Sequence, residues 1–240
     1  MSEDMTERQF RDTETGLSNV FDFESLRALT PARLELRRAG PAPSTAERLR
    51  FAADHSLARD AVRRPLDARS LLVVLETIGI EAVEVRSRAC SSSDHLLRPD
   101  LGRRLDPKDL VRLAGPTETA WVIADGLSSG AVERYAPRLL SAVGGVGRAV
   151  VVHHGRVAIG DEIGAALGAS LSIVLIGERP GLSAAESMGV YVTYGPAVGC
   201  TDAQRNCISN IRDGGLAPEA AAELLSEMVA RARREQRTGV

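Results

Sequence analysis

Aromatic residues are scarce in this chain: they make up 3% of its 240 residues, while hydrophobic residues make up 44%. A core built around stacked rings is therefore excluded, and the core must consist of Ala, Val, Leu and Ile. That composition is typical of helices packed on a parallel sheet. The length is sufficient to bury such a core without disulfides or structural metal ions.

Cysteine is also sparse, with only Cys90, Cys200 and Cys207. The odd count, without a Cys-x-x-Cys or a zinc-type Cys/His spacing, argues against a disulfide framework and a zinc site. We interpret these residues as reduced thiols. No signal-peptide core opens the sequence, and no apolar run reaches the roughly 18 residues that span a bilayer. The sequence predicts a soluble cytoplasmic protein.

An excess of charge of one sign is missing too. Thirty basic and 32 acidic residues leave a net charge of −2, which argues against nucleic acid or an anionic membrane as a main partner. Lys108 is the only lysine and does not follow a Gly-x-x-x-x-Gly stretch, so the sequence has no phosphate-binding loop of that type. The glycines at 144–147 precede a predicted strand, which is the wrong context for a dinucleotide fingerprint.

Strand and helix patterns alternate from about residue 70 onward, joined by short Gly-rich connections. This predicts an α/β fold with a Rossmann-like parallel sheet flanked by helices. The predicted strands are Ala82–Arg86, Ala120–Ala124, Arg148–His153, Leu171–Ile176 and Val190–Tyr194. The clearest predicted helices are Ser128–Val143, Val157–Leu167 and one that begins near Pro218.

The N-terminal part has a different pattern. Residues 1–20 are polar and without periodicity, and we predict a flexible leader there. Residues 21–68 are predicted to form an N-terminal helical arm, in which the proline-containing segment 39–43 is a stiff linker. Ser44 and Glu47 then have the spacing of a capping box at the start of a helix. The predicted domains are therefore 1–20, 21–68 and 69–240.

The segment 171–182 carries the strongest local signal. Its apolar run, Leu171–Ile176, is followed by Gly-Glu-Arg-Pro-Gly, which predicts a strand buried on both faces and then a rigid, charged turn. Ligands of open α/β sheets bind beyond the carboxyl ends of strands, so Glu178 is a candidate binding residue. The turn at 125–128 follows another predicted strand; we predict that Ser128 caps the next helix and that the turn lines the same crevice.

Two motifs suggest chemistry that their context does not support. Asp54-His55-Ser56 has the composition of a catalytic triad, but consecutive residues on a helix point about 100° apart, and a solvated or interface face is the better interpretation. His153-His154 stands at a strand end, but no third metal ligand follows at a useful spacing.

Two further features stay open on physical grounds. Three arginines, Arg98, Arg103 and Arg104, lie within eight residues and form either a solvated loop or an anchor for a partner interface. Cys207 is predicted to lie in the loop after the last strand. It has no histidine paired with it in sequence and is interpreted as a buried, inert thiol.

Six stretches, in this order along the chain, resemble the light chain (small subunit) family of ethanolamine ammonia-lyase, an adenosylcobalamin-dependent enzyme. They cover about residues 22–236. They are Arg-Ala-Gly-Pro at 38–41, Phe-Ala-Ala-Asp-His-Ser at 51–56, Arg-Pro-Asp-Leu-Gly-Arg-Arg-Leu at 98–105, Asp-Gly-Leu-Ser at 125–128, Gly-Glu-Arg-Pro-Gly-Leu at 177–182 and Cys-Ile-Ser-Asn-Ile at 207–211.

The resemblance implies a subunit of a two-chain ammonia-lyase that converts ethanolamine to acetaldehyde and ammonia. A heavy chain with a β/α barrel would hold the substrate and the catalytic side chains, so no catalytic residue is expected in this chain. Residues 69–240 would form a Rossmann-like cobalamin-binding domain that covers adenosylcobalamin between the two chains. The family pattern places the cofactor contacts on Val157, Glu178 and Cys207, which for Cys207 departs from the physical interpretation.

None of the four histidines lies in the Asp-x-His-x-x-Gly motif of cobalamin mutases that displace the cofactor's own base, so this chain is not expected to ligate cobalt. Two alternatives stay open: a cobalamin-binding module without catalysis, and a nucleotide-dependent oxidoreductase, which the missing glycine fingerprint disfavours. The sequence leaves open the oligomer stoichiometry, the substrate range and enclosure in a bacterial microcompartment.

Overall fold

The computed structural model describes residues 42–113 and 115–240, together with 25–26, 29–30 and 38–39. The chain divides into two compact units, residues 1–54 and 55–240. The first contains two short antiparallel strands, β1 (Arg38–Ala39) and β2 (Ala42–Pro43), and the first half of helix α1 (Thr45–Arg63), up to Asp54. The leader predicted for residues 1–20 lies outside the described residues.

Helix α1 begins as its sequence predicts. The backbone N–H of Glu47 donates to Ser44 Oγ at 3.3 Å, which satisfies one of the free N–H groups of the first turn. None of its residues is buried, and Leu49 and Leu57 are 66% and 60% exposed. Most of a helix's stability in a protein comes from packing an apolar face, and α1 has no such buried face in this chain.

A six-stranded mixed sheet forms the second unit, with the strand order β3-β5-β4-β6-β7-β8. Strands β3, β5, β4 and β6 run parallel, whereas β7 is antiparallel to both β6 and β8. The strands are β3 (Glu81–Arg86), β4 (Thr119–Ala124), β5 (Arg148–His153), β6 (Leu171–Gly177), β7 (Met188–Tyr194) and β8 (Arg205–Ile211). All five predicted strands are present, and the α/β class is confirmed.

The expectation of an all-parallel sheet is wrong for β7. A parallel neighbour needs a crossover connection, usually a helix, whereas the connections at 178–187 and 195–204 contain no α-helix. The strand β8 was not predicted, because Arg-Asn-Cys-Ile-Ser-Asn-Ile has no continuous apolar run. As an edge strand it buries few side chains, and its pairing with β7 is irregular between Met188 and Val190.

Helices cover the two faces of the sheet unequally. The first face packs against α2 (Ala68–Thr77), α5 (Ser129–Val143) and α7 (Pro218–Glu235), and the buried cluster there includes residues of β4 to β8. The second face packs against α6 (Ile159–Ala166), and its buried cluster draws on β3, β4, β5 and β6 alone among the strands. On β7 and β8, α6 reaches the second face only near Thr193 and Arg205. The rest of that face, around Tyr191, Cys207 and Ser209, has no helix on it among the described residues, and we call it the open face.

The central strand β6 is buried over its whole length, as its sequence predicts. Leu171, Ile173 and Leu175 point to the first cluster, and Val174 and Ile176 point to the second. Two short helices, α3 (Ser92–Leu97) and α4 (Pro99–Gly102), follow β3. Because β3, β4, β5 and β6 are parallel, the residues that follow them meet at one edge of the sheet.

Candidate functional site

Asp125 joins the ends of β4 and β5 at this edge. Its buried carboxylate accepts the backbone N–H of His154 at 2.7 Å and that of Gly155 at 2.9 Å. His154 has a φ of 56°, a conformation that is strained for a residue with a side chain and that needs such support. The turn that leads to Val157 is therefore held rigidly against β4.

His95, on α3, is buried against the same turns. Its Nδ1 lies 2.9 Å from the carbonyl oxygen of His154, and its Nε2 lies 2.6 Å from that of Gly126. A neutral imidazole has one N–H, so only the protonated ring can donate to both carbonyls. Burial, the largest influence, lowers the pKa of His95, while the Asp125 carboxylate opposes that change. His95 thus positions the two turns and, being 4% exposed, is shielded from solvent.

Ser128 occupies the N-cap position of α5, but its side chain makes no capping hydrogen bond. Its Oγ is buried and has no hydrogen-bond partner among the described residues. The predicted cap is therefore wrong as a side-chain interaction. The turn is closely packed, because Gly177 lies so near the Ser128 and Asp125 carbonyls that no Cβ fits there.

Glu178 lies directly beyond β6, where the sequence predicts it. Its carboxylate accepts the Ser187 hydroxyl at 2.6 Å and the backbone N–H of Asn210 at 3.2 Å. These two bonds tie the end of β6 to the start of β7 and to β8. A Cβ at Gly189 would lie 3.1 Å from the Glu178 carboxylate, so a glycine at that position leaves room for it. A carboxylate has about four acceptor positions, so Glu178 can accept further hydrogen bonds.

Cys207 lies on strand β8 and is exposed, which corrects both its predicted loop position and its predicted burial. No helix among the described residues packs over this part of the sheet, so the thiol faces outward from the open face. Its Sγ is 3.2 Å from Ser209 Oγ. Cys207 pairs in register with Tyr191 on β7.

Tyr191 lies next to both Glu178 and Cys207. Burial, and after it the neighbouring Cys207, raises the pKa of Tyr191 to about 12, with a smaller contribution from Glu178. Its phenol is therefore neutral at physiological pH and presents a half-buried ring with a hydroxyl. Sequence reasoning missed Tyr191, because its role depends on β8 lying beside β7. The open face thus brings together Glu178, Tyr191 and Cys207.

Val157 lies in the turn between β5 and α6 and packs at the rim of the second cluster, as Tyr191 does. It also lines a cavity of about 590 Å³, whose other walls are the 198–202 loop, the arginines at 103, 104 and 156, and the start of α6. The three predicted binding residues therefore share one side of the sheet. Glu178 and Cys207 both lie beside the Tyr191 side chain, and Val157 lines the cavity of about 590 Å³.

A buried ion pair supports this side of the sheet. Arg205, at the start of β8, binds the carboxylate of Asp161 on α6 with two hydrogen bonds of 2.6 and 2.7 Å, and it donates to Thr193 on β7 at 2.9 Å. The side chains of Arg205 and Asp161 are 3% and 2% exposed. Sequence reasoning missed this pair, because the two residues are far apart in the chain and neither lies in a recognisable motif.

The histidine pair at the end of β5 has other partners. His153 Nε2 lies 2.7 Å from a carboxylate oxygen of Glu84 on β3, and His154 contacts the carbonyl of Ala89. Across the part of the chain that the structure describes, no group of three or more His, Cys, Asp or Glu side chains is placed to hold a metal ion. Among the same residues, no helix is both long enough and apolar enough to cross a membrane.

Comparison with known proteins identifies the family. The sequence model of the family described as ethanolamine ammonia-lyase light chain (EutC) matches residues 22–240. The ethanolamine ammonia-lyase small subunit of Rhodopseudomonas palustris is 46% identical over 233 residues, which are 92% of this chain and 89% of the relative. Those of Bradyrhizobium diazoefficiens and Azotobacter vinelandii are 45% and 43% identical, over 90% and 91% of this chain and 87% and 86% of the relatives. This chain belongs to the ethanolamine ammonia-lyase light chain family.

Proposed function

We propose that this chain is the light chain of a two-chain ethanolamine ammonia-lyase and that, together with a heavy chain, it binds adenosylcobalamin and supports the conversion of ethanolamine to acetaldehyde and ammonia. The match to the family over residues 22–240 carries this proposal. The heavy chain, a β/α barrel in this proposal, holds the substrate and the catalytic side chains. The Rossmann-like parallel half of the sheet in this chain is the rigid support for the cofactor surface.

The open face fits a cofactor of this kind. A corrin is broad and flat and carries amide groups at its rim, so it needs a wide surface with a few hydrogen-bond acceptors. The open face offers the ring of Tyr191 and the thiol of Cys207, which no helix covers among the described residues. Glu178 supplies a carboxylate at one border, and Val157 supplies an apolar contact at another.

When bound, the cofactor supplies the radical by cleavage of its cobalt–carbon bond. The residues of this chain bind and orient it. Glu178 accepts hydrogen bonds from amide N–H groups, Cys207 and Tyr191 contact the ring system, and the covered surface excludes water from the reaction space. Glu178 is already fixed by Ser187 and Asn210, so its carboxylate needs little reorganisation on binding.

The helical arm is proposed to contact the heavy chain. Helix α1 has no buried residue and exposes Leu49 and Leu57, a pattern typical of a surface that a partner covers. Leu49→Asp is expected to reduce co-purification of the two chains, whereas Arg48→Ala, one position away, is the matched control. Undiminished co-purification of Leu49→Asp would contradict a heavy-chain contact at this helix.

The overall proposal is tested by reconstitution. The two chains are expressed separately and together, cobalamin binding is followed by its visible absorbance, and ethanolamine turnover is followed by acetaldehyde release. We expect cofactor binding and turnover only with both chains present. Turnover by the heavy chain alone at the same rate would refute the proposal, and cobalamin binding without turnover in the complex would favour a binding module without catalysis.

A further inference from the structure

The arginine-rich segment at 98–105 uses its three arginines differently. Arg98 forms two hydrogen bonds with the carboxylate of Asp100, at 3.0 and 2.8 Å. Arg104 forms two with that of Glu162, at 3.0 and 3.1 Å. The charges of these two arginines are therefore neutralised within the chain. Arg103 is exposed and has neither an ion pair nor a hydrogen bond with any described residue.

Arg156 lies close to Arg103 and is only partly satisfied. One of its terminal nitrogens donates to the His95 carbonyl at 2.6 Å, but its Nε is buried without a hydrogen-bond partner among the described residues. Burial lowers the pKa of Arg156, the Asp125 carboxylate opposes that change, and the positive charge of Arg103 adds to it. The two guanidinium groups are like charges on one cavity wall and repel each other.

The backbone holds the two arginines in this arrangement. The N–H of Arg156 donates to the carbonyl of Gly102 at 2.8 Å, and a Cβ at Gly102 would lie 2.8 Å from Cγ of Arg156. A glycine is thus required where the stem of Arg156 crosses the segment that carries Arg103. A side chain at position 102 would also collide with the carbonyl oxygen of His154, at 2.9 Å, so it would displace the stem of Arg156.

Both arginines line the cavity of about 590 Å³ that Val157 also lines. Small-molecule sites typically measure about 300–1,000 Å³. Arg104 also lines the cavity wall and is neutralised by Glu162. Arg205 lines it too and pairs with both Asp161 and Asp202. Arg205 balances only one of its two carboxylates, and Asp202 stays exposed, so the wall keeps a net positive charge that comes from Arg103 and Arg156.

We propose that Arg103 and Arg156 form a phosphate-binding subsite that takes the phosphodiester of the cofactor's nucleotide loop; this inference rests on the function proposed above. Guanidinium groups bind phosphate through paired, charge-assisted hydrogen bonds. An anion between the two groups would relieve the electrostatic repulsion between them. Val157 lines the cavity and packs against the same buried cluster as Tyr191 of the open face, so the cavity and the proposed corrin surface share one side of the sheet.

The test compares two truncated corrinoids on the two-chain complex. Cobinamide phosphate keeps the phosphate but lacks the ribose and the base, and cobinamide lacks the phosphate too. Affinities are measured by equilibrium dialysis. We expect the wild-type complex to bind cobinamide phosphate at least about tenfold more tightly, since a charged hydrogen bond of roughly 1.5–3 kcal/mol corresponds to about ten- to a hundredfold in affinity.

Arg103→Gln is expected to abolish most of this preference and to leave cobinamide affinity unchanged. Arg98→Gln is the matched control, because Arg98 lies in the same segment, is paired with Asp100 and does not line the cavity. The full preference in Arg103→Gln, or no preference in the wild type, would overturn the inference.

A second measurement separates the subsite from the proposed function. If the wild-type complex binds no corrinoid, the cofactor proposal fails, and the subsite is judged by whether inorganic phosphate protects Arg103 from phenylglyoxal, read by mass spectrometry with Arg98 as the reference. Protection supports an anion site for another phosphate, and lack of protection refutes it. Arg103 that is already unreactive in the phosphate-free complex would show that a partner carboxylate fills the cavity, which also overturns the inference.

Discussion

The covered and open parts of the second sheet face differ in what their side chains do. Under α6, the strands β4 and β6 contribute Val122, Val174 and Ile176, which are buried and serve packing. On β7 and β8 the same face presents Tyr191, Cys207 and Ser209, which no helix covers among the described residues. One sheet thus supplies both a core and a surface, and the position of a single helix separates them.

The joint between these two parts is the Arg205–Asp161 pair, and breaking it is expected to have the largest effect. Asp161→Asn leaves the Arg205 charge without its buried carboxylate, so we expect a loss of about 3–5 kcal/mol in the free energy of unfolding. Chemical denaturation of the wild type and the variant measures it.

The matched control is Asp202→Asn. Asp202 contacts the same Arg205 at 3.5 Å, but its side chain is 96% exposed. An exposed ion pair contributes about 0–1 kcal/mol, so this variant is expected to stay close to the wild type. Equal losses in the two variants would contradict the view that burial of the Asp161 pair is what joins the two parts.

Glu178 tests the border of the open face. Glu178→Gln keeps the shape of the side chain and removes its charge, and a hydrogen bond to a charged group is worth roughly 1.5–3 kcal/mol. We expect cobalamin affinity of the assembled complex to fall by about ten- to a hundredfold. Glu186→Gln is the control, because Glu186 precedes β7 in the same loop but pairs with Arg64. Unchanged cobalamin binding in Glu178→Gln would remove it from the cofactor surface.

Cys207 tests whether the open face acts through shape or through chemistry. Cys207→Ser roughly preserves size, so turnover should survive with at most a several-fold loss of cofactor affinity. Cys207→Phe should instead crowd the surface and prevent reconstitution. Cys90→Ser is the control at an exposed cysteine elsewhere. Loss of turnover in Cys207→Ser with cobalamin still bound would show that the thiol takes part in the reaction.

The smallest expected effect is a pH dependence from His95 at the edge that both parts share. Its pKa is lowered by burial, so the unfolded chain takes up a proton first as the pH falls. The stability that neutral His95 contributes is therefore present above about pH 6.5, its unfolded value, and is lost at lower pH. The difference in unfolding free energy between the wild type and His95→Gln, measured from pH 8 to 5 at constant ionic strength, isolates this residue.

The charged groups that face His95 are Asp125, which favours protonation, and Arg156, which opposes it. A difference that shrinks as the pH falls is the expected result. A difference that grows instead would show that the two carbonyl acceptors, at 2.9 and 2.6 Å, hold the ring protonated despite its burial.

Much of the covered part was predictable. The strand β6, the turn with Glu178, and helices α5 and α7 follow from local apolar runs, periodicity and a proline at the first turn of α7. The open part was less predictable. The strand β8 lies at the edge of the sheet and is mostly polar, so its sequence lacks an apolar run, and Cys207 was predicted to lie in a loop and to be buried. Nothing in the sequence marks Tyr191 as a binding residue, because its contact with Cys207 arises only from the pairing of β7 with β8.

The sequence by itself determined the class of fold, the family and the position of Glu178 after a buried strand, because these depend on patterns within short stretches of the chain. The tertiary structure alone decided which charged side chains have an oppositely charged partner and which do not. Arg98 and Arg104 have carboxylate partners, Arg103 has none among the described residues, and Arg205 is buried on Asp161. Neighbouring arginines are alike in sequence, and they differ only when folding brings a distant carboxylate to one of them or leaves it without a partner.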